Sequence, residues 1–304
     1  MVNLTNKRIC VTGGAGFVGS HLCEELVKRS NEVKVIDNFT DGSMKNLESI
    51  NDSIEIINAD IRDVSQIKAH LENCEIVYHL AAIANPKKCN EDIDETYLVN
   101  IEGTKNVISC CKNIERLIFS SSITVYGSNF NSPIDESNPL ISTYPYSLAK
   151  QIGECLLIAY NSTTGIPFTI LRNCNIYGPR QTIDYLIPSL IDQGKKDGFV
   201  EVWDPHPVRD FVYIKDAVSA FIEVASSESC INKSFNMGTG IGTSVGNVVK
   251  IISELLSVEW KDANRPQDVS PFLVANNEYL CESSSWRSLV GIREGIQNTI
   301  DSVS

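Results

Sequence analysis

Tyr146 and Lys150 stand four residues apart in Tyr146-Ser147-Leu148-Ala149-Lys150, at the start of a segment with helical periodicity. On a helix that spacing puts both side chains on one face, one turn apart. A phenol titrates near ~10 and is a poor base at neutral pH. A lysine ammonium beside it stabilises the phenolate and lowers that value, giving a general base that can take a proton from a substrate hydroxyl. Tyr144 is six residues from Lys150 and off that face. A second source of chemistry is Ser120-Ser121-Ser122, followed by Ile123 and Thr124, at the end of an apolar strand pattern. A hydroxyl there can bond the substrate oxygen and share its proton, though serines also simply close strands.

A loop able to hold a redox partner lies at the other end of the fold. Thr12-Gly13-Gly14-Ala15-Gly16-Phe17-Val18-Gly19 joins a strand pattern to an amphipathic helix pattern. Such glycines let the backbone turn tightly against a pyrophosphate, which then meets the free N–H groups of the helix N-terminus. Gly13, Gly16, Phe17, Val18 and Gly19 are therefore expected to cradle a dinucleotide. Asp37 closes the next strand, followed by Asn38 and by no nearby arginine. A carboxylate there accepts from ribose hydroxyls and repels a 2′-phosphate, so NAD is expected rather than NADP. Asp60 and Ile61 follow the third strand, where Asp60 could accept from an adenine amino group or be only a helix cap or surface acid. Leu80, Ala81 and Ala82 end the fourth strand and leave room for the pyrophosphate and nicotinamide ribose. His79, inside that apolar run, reads as a packed strand residue. A nicotinamide ring would add a second positive charge beside the Tyr146 phenol, and hydride would leave the carbon whose hydroxyl loses its proton.

The elements that must position these groups alternate. Strand patterns at Ile9–Thr12, Val33–Asp37, Ile54–Asn58, Ile76–Leu80, Arg116–Ser120 and Phe168–Arg172 are separated by helical patterns. Those helices are expected at Phe17–Arg29, Ser65–Leu71, Asp92–Lys112 and Ser147–Asn161. The order predicts an α/β fold, a doubly wound parallel sheet with helices on both faces. Shorter helices at Tyr185–Gln193, Asp216–Ala225, Ser244–Leu256 and Glu294–Asp301 sit among Pro-, Gly- and Asp-rich loops. They predict a smaller, interleaved C-terminal lobe. Residues 1–172, with 208–238 returning to them, are expected to form the cofactor domain, and 173–207 with 239–304 the substrate lobe.

Composition narrows the classes. A net charge of −12, from 38 acidic and 26 basic residues, argues against nucleic acid as partner but not against a locally bound phosphate. No apolar run approaches membrane length. Ten cysteines are scattered without zinc spacing, so no metal is expected and the protein reads as one of a reduced, cytoplasmic compartment.

Together the motifs TGGAGFVGSHL (12–22), DIRD (60–63), HLAA (79–82), SSSITVYG (120–127), YPYSLAK (144–150), LRNCNIYGPR (171–180), RDFVYIKD (209–216) and NMGTG (236–240) resemble the extended short-chain dehydrogenase/reductase family. Within it they are similar to the nucleotide-sugar epimerase/dehydratase branch, over nearly the whole chain. The resemblance implies a Rossmann-type fold and NAD as cofactor, with Tyr146 as general base, Lys150 as its partner and ribose ligand, and Ser122 beside the substrate oxygen. It implies that Ser120, Ser121 and Asn100 support cofactor and lysine. It also implies that Ser122, Thr124, Asn175, Arg209 and Arg265 meet a nucleoside-diphosphate sugar, the arginines clamping its pyrophosphate. The family's homodimers form through a four-helix bundle, here the Asp92–Lys112 and Ser147–Asn161 helices.

The branch contains several reactions. Its dehydratases resemble a Thr-Asp-Glu pattern where this chain has Ser122-Ile123-Thr124, and its decarboxylases carry a glutamate where Ile123 stands. Cys174 lies on the loop used by epimerase-reductases, without the accompanying histidine. What is left suffices for C4 epimerisation of a UDP-glucose or UDP-galactose type substrate through a 4-keto sugar. A 4-dehydrogenase or ketoreductase, a dehydratase, a decarboxylase and a non-catalytic NAD sensor are the alternatives. The chain departs from relatives at Trp203-Asp204-Pro205-His206-Pro207, where Gly-Asp-Gly is usual, and at Gln267, where glycine is usual. A bulky Phe272 or Leu273 near a position that gates N-acetyl groups points to an unacetylated hexose.

Overall fold

The computed structural model describes residues 4–128, 130–265 and 272–303; Gln267 lies outside the described residues. Near-continuous apolar runs form strands β1 (Arg8–Thr12), β2 (Glu32–Asp37), β3 (Ile54–Asn58), β4 (Ile76–His79), β5 (Arg116–Ser122) and β6 (Phe168–Asn173). Strands buried on both faces need no polar alternation, which is why these segments read as solid hydrophobic blocks. All pair in parallel, and a late strand returns to the same sheet beyond β6.

The rest of the chain builds smaller sheets. It supplies β7 (Asn175–Tyr177), β8 (Phe199–Val202), β9 (Val208–Tyr213), β10 (Lys233–Met237), β11 (Gly242–Ser244), β12 (Glu259–Asp262) and β13 (Phe272–Leu273). The late strand is β10, so the main sheet has seven strands in the order β10-β6-β5-β4-β1-β2-β3. Strand β9 pairs with β7, β11 and β13, and β8 pairs with β12. The main sheet is the doubly wound Rossmann-type fold that the alternation predicts. Its strand order reverses between β1 and β4, and the crevice beyond the carboxyl ends of those strands is where such sheets bind ligands.

One face of the sheet is covered by the Phe17–Lys28 and Ile214–Ser226 helices, whose Leu22, Leu26, Ala217 and Phe221 pack with Ile9, Val11, Tyr78 and Ile118. The other is covered by the Val64–Leu71, Thr104–Cys110 and Pro145–Thr164 helices, whose Ile67, Val107 and Leu157 meet Val77, Leu117 and Phe119.

Two helices differ from expectation. The stretch expected to be one helix from Asp92 to Lys112 is a turn of α-helix (Ile93–Tyr97), a π-helical segment (Leu98–Gly103) and a second α-helix (Thr104–Cys110), preceded by a short helix at Pro86–Glu91. The helix expected from Ser147 begins at Pro145, because proline is well placed in a first turn and the Ser147 hydroxyl bonds back to the Tyr144 carbonyl at 3.0 Å. Tyr146 is thereby inside the first turn.

Candidate active site

The glycine loop follows β1 and is pressed against the loop after β4. Gly13 has φ +72°, and a methyl there would lie 2.7 Å from the Ala81 amide nitrogen. Gly19 is closed in the same way by the Gly13 carbonyl. Gly16 is different: a methyl there meets only the Gly13 oxygen, at 3.2 Å, and the space above it is open. Phe17 and Val18 are half-exposed beside it. The loop is packed beneath and clear above, which fits a pyrophosphate laid on the N-terminus of the Phe17–Lys28 helix.

Asp37 ends β2 nearly buried. Its carboxylate accepts from the Ala15 amide at 2.9 Å and the Phe39 amide at 2.8 Å, which leaves lone pairs for two further donors. Burial raises its pKa, against the pull of those two amides. Leu80, Ala81 and Ala82 are half-buried at the other side of the crevice. The geometry of these residues suits a dinucleotide lying across β1, β2 and β4.

Asp60 is placed otherwise than expected. Its carboxylate takes the Arg62 backbone amide and Nε on one oxygen, and Arg62 Nη2 at 2.7 Å and Asn38 Nδ2 at 3.1 Å on the other. The Arg62 guanidinium holds its pKa down at about 2. Those four bonds fill its lone-pair directions, so Asp60 and Asn38 shape the loop instead of presenting a free acceptor to adenine. Ile61 is buried, and its side chain lies against Gly103 of the π-helical segment.

On the catalytic side, Lys150 is buried and donates from Nζ to the Ser120 carbonyl at 2.7 Å. Its ammonium lies 5.9 Å from the centre of the Tyr146 ring and 5.0 Å from that of Phe119. Burial pushes its pKa down to about 8, with Cys89 and Glu154 holding it up. The Tyr146 phenol is itself pushed up by burial, and by Tyr185 and Cys89 nearby, while Ser122 works in the opposite direction. The lowering expected of this phenol is that of a lysine ammonium and a nicotinamide ring acting together. Lys150 also donates to a strand carbonyl, and desolvation of the phenolate is the largest influence on Tyr146.

Ser122 is buried and its Oγ lies 2.9 Å from Thr124 Oγ1, so the two hydroxyls form a pair at the end of β5. Ser120 Oγ accepts from Asn173 Nδ2 at 2.8 Å. Ser121 does not join them. Strand alternation turns its side chain to the other face of the sheet, where its hydroxyl donates to Glu154. Asn100 likewise does not bond Lys150. The π-helical segment carries it under the loop after β4, where it accepts from the Ile83 amide at 2.8 Å and donates to the Ile83 carbonyl at 2.9 Å.

His79, buried between strands, bonds Thr12 Oγ1 at 2.7 Å through Nδ1 and Thr104 Oγ1 at 2.9 Å through Nε2. Burial drives its pKa down to about 3. It ties the glycine loop to the helix behind it, as a packed residue would.

In the lobe, Arg209 is half-buried on β9. The only hydrogen bond of its side chain among the described residues goes to the Val208 carbonyl at 2.8 Å, and it has no ion pair among them. Burial lowers its pKa, with the Asp204 carboxylate pulling the other way. Asn175 and Arg265 are exposed, Arg265 being fixed through its backbone amide to the Trp203 carbonyl at 2.8 Å. Residues that the sequence reading passed over also converge here: Asn173, Cys89 and Tyr185, and Glu154 one turn beyond Lys150. For Glu154 a signal existed, since Tyr146, Lys150 and Glu154 continue one helical stripe at steps of four.

The NAD dependent epimerase/dehydratase family model matches residues 9–238. The chain belongs to that family. Its cofactor is NAD. Among relatives of the family, a UDP-N-acetyl-alpha-D-glucosaminuronate decarboxylase of Bacillus cytotoxicus is 34% identical over 270 residues, covering 86% of this chain and 84% of that protein. The crystal structure of the Thermotoga maritima UDP-glucose 4-epimerase with UDP-glucose superposes with a TM-score of 0.91 at 27% identity, over 97% of this chain and 98% of that one. The Thermus thermophilus UDP-glucose 4-epimerase complex with NAD gives 0.89 at 29% identity, over 97% and 98%. The chain is thus a NAD-dependent enzyme of the nucleotide-sugar epimerase, dehydratase and decarboxylase class. Among its described residues no helix is long and apolar enough to cross a membrane.

Proposed function

We propose that this protein epimerises a nucleoside-diphosphate hexose at C4, of the UDP-glucose and UDP-galactose type. The observation that carries the reading is the Ser122–Thr124 hydroxyl pair, 2.9 Å apart, with buried Ile123 between them. A dehydratase or decarboxylase of this branch uses a carboxylate there. The proton-handling groups are then Ser122, Tyr146 and Lys150, which serve a reaction made of removing and restoring one hydroxyl proton.

NAD, when bound, would supply the hydride acceptor and donor that the C4 carbon needs. Ser122 holds the C4 oxygen and passes its proton to Tyr146, whose phenolate the Lys150 ammonium supports. Tyr146 keeps that proton while the 4-keto sugar turns and gives it back afterwards. Arg209 and Arg265 take the pyrophosphate, with Asn175 and Thr124 beside the sugar, and bulky Phe272 beside β9 favours an unacetylated hexose. In this reading residues 1–172 and 208–238 hold NAD, while 173–207 and 239–304 hold the nucleotide sugar.

A homodimer completes the proposal. Ile93, Leu98 and Ile158 are each about half-exposed on the two helices expected to form a four-helix bundle. Light scattering after gel filtration reads the mass, and a monomer would remove this part. For the reaction itself, purified protein is incubated with UDP-galactose and the C4 epimers are separated. UDP-glucose is the expected product. No interconversion, with carbon dioxide released from UDP-glucuronate, would replace the epimerase reading with decarboxylation.

A further inference from the structure

Behind the proton-handling groups lies a buried polar chain that reaction chemistry does not itself require. Glu154 is one turn from Lys150 and two from Tyr146 on the Pro145–Thr164 helix. Both its oxygens are held by Arg172: Nε donates at 3.1 and 3.2 Å and Nη2 at 2.7 Å, with both side chains nearly buried. The Ser121 hydroxyl donates to the same carboxylate. The remaining arm of Arg172, Nη1, donates to the Tyr126 hydroxyl at 2.6 Å, and the guanidinium stacks 5.0 Å from that ring. Tyr126 donates onward to Asn236 Oδ1 at 2.9 Å, and Asn236 is fixed by the Ile134 carbonyl at 2.8 Å and, through its amide, by Glu136 at 2.7 Å.

The ends of this chain matter. Glu154 fixes the helix that carries Tyr146 and Lys150. Tyr126 ends the single turn Ile123–Tyr126, whose cap is Ser122 and whose second residue is Thr124. Arg172, on β6 between them, grips both. Replacing a buried ion pair by apolar groups costs little stability as a rule, so stability alone is a weak reason for this one. Specific geometry is the better reason.

We propose that Arg172, through Glu154 and Tyr126, is a positioning residue that sets the spacing between the Ser122–Thr124 hydroxyls and the Tyr146–Lys150 pair. None of the three is among the residues assigned above to the substrate. The proposal rests on the epimerase reading only in its choice of substrate assay. Besides Glu154, the ionisable groups acting on the pair are Cys89, Tyr185 and, toward Lys150, the buried His79, and none of these is linked to the chain.

The test is Tyr126→Phe, which removes one hydroxyl and keeps the ring, in NAD-loaded protein well below its melting temperature. Two readouts are taken. The first is kcat and KM for UDP-galactose. The second is the ionisation midpoint of Tyr146, read from phenolate absorbance as the difference from the same background carrying Tyr146→Phe. The variant is expected to lose at least tenfold in kcat with KM within twofold, and to shift the phenol midpoint by half a pH unit or more. Arg172→Lys, which keeps the charge and loses the fork, should move both readouts the same way. A lowered melting temperature with kcat within twofold and an unmoved midpoint would make the chain structural only and overturn the proposal. If the wild type does not turn over UDP-galactose, the epimerase reading fails and the phenol midpoint alone decides. Should Arg172→Lys not fold, Tyr126→Phe still gives both readouts.

Discussion

His79 should make this protein sensitive to mild acid in a way one substitution removes. Thr104 Oγ1 donates to the Asn100 carbonyl at 2.7 Å, so it must accept from His79 Nε2–H, which leaves Nδ1 bare to accept from Thr12. A proton added at Nδ1 would face the Thr12 hydroxyl inside the sheet. Burial, with the Lys150 charge nearby, lowers the pKa from about 6.5 when unfolded to about 3 in the fold. The unfolded chain binds the proton first as pH drops, so the folded state loses stability below pH ~6.5, by roughly 1.4 kcal/mol per unit down to about pH 3. Between pH 7.5 and 5 the loss from this residue is about 2 kcal/mol. For a chain of this length that is about 3 °C in melting temperature. In His79→Gln the amide can still bridge the two threonines but carries no titration. Urea unfolding of both proteins at the two pH values isolates the effect, because other titrating groups cancel in the difference. The stability advantage of wild type over variant should shrink by about 2 kcal/mol at pH 5. A difference constant to within ~0.5 kcal/mol would refute the buried-neutral assignment.

Other outcomes follow from the same geometry. Tyr146→Phe should retain NAD and lose at least ~10²-fold in kcat for the proposed epimerisation, measured by product separation. Activity should fall as pH rises past about 8, where Lys150 gives up the proton that supports the phenolate; a rate profile flat to pH 9.5 would contradict that role. Gly13→Ala forces a side chain into φ +72° against Ala81, strain on the order of 1–3 kcal/mol. Protein isolated from that variant should carry little NAD by absorbance and mass spectrometry. Arg209→Ala should raise KM for the nucleotide sugar at least tenfold with little change in NAD content, whereas Arg209→Lys, a point charge without the fork, should fall between.

The sheet was legible because buried parallel strands write themselves as apolar blocks, and Ile54–Asn58 was placed to the residue. The fold class and the cofactor could be read from the glycine loop and Asp37 together. What escaped was set by contacts distant in sequence. Nothing local marks Leu98–Gly103 as π-helical, yet that segment decides that Asn100 reaches Ile83 and not Lys150. Asp60 and Tyr146 were read only in part, for a related reason. Residue type and spacing say which groups are neighbours, but Arg62 beside Asp60 holds that carboxyl's pKa down, and desolvation pushes the Tyr146 phenol up. Ser121 could have been separated from its neighbours by strand alternation alone.

The placement of β10 has a consequence for how such a protein can be rebuilt. The chain leaves the main sheet after Asn173, returns to it at Lys233–Met237 and leaves again. The part outside that sheet is therefore no cassette: a graft from a relative would need more than one seam. Chimeras cut once at residue 173 would pair a foreign edge strand with β6. If the proposed sugar site is right, changes of preference are better sought through side chains at Asn175, Arg209 and Phe272 than by exchanging whole segments.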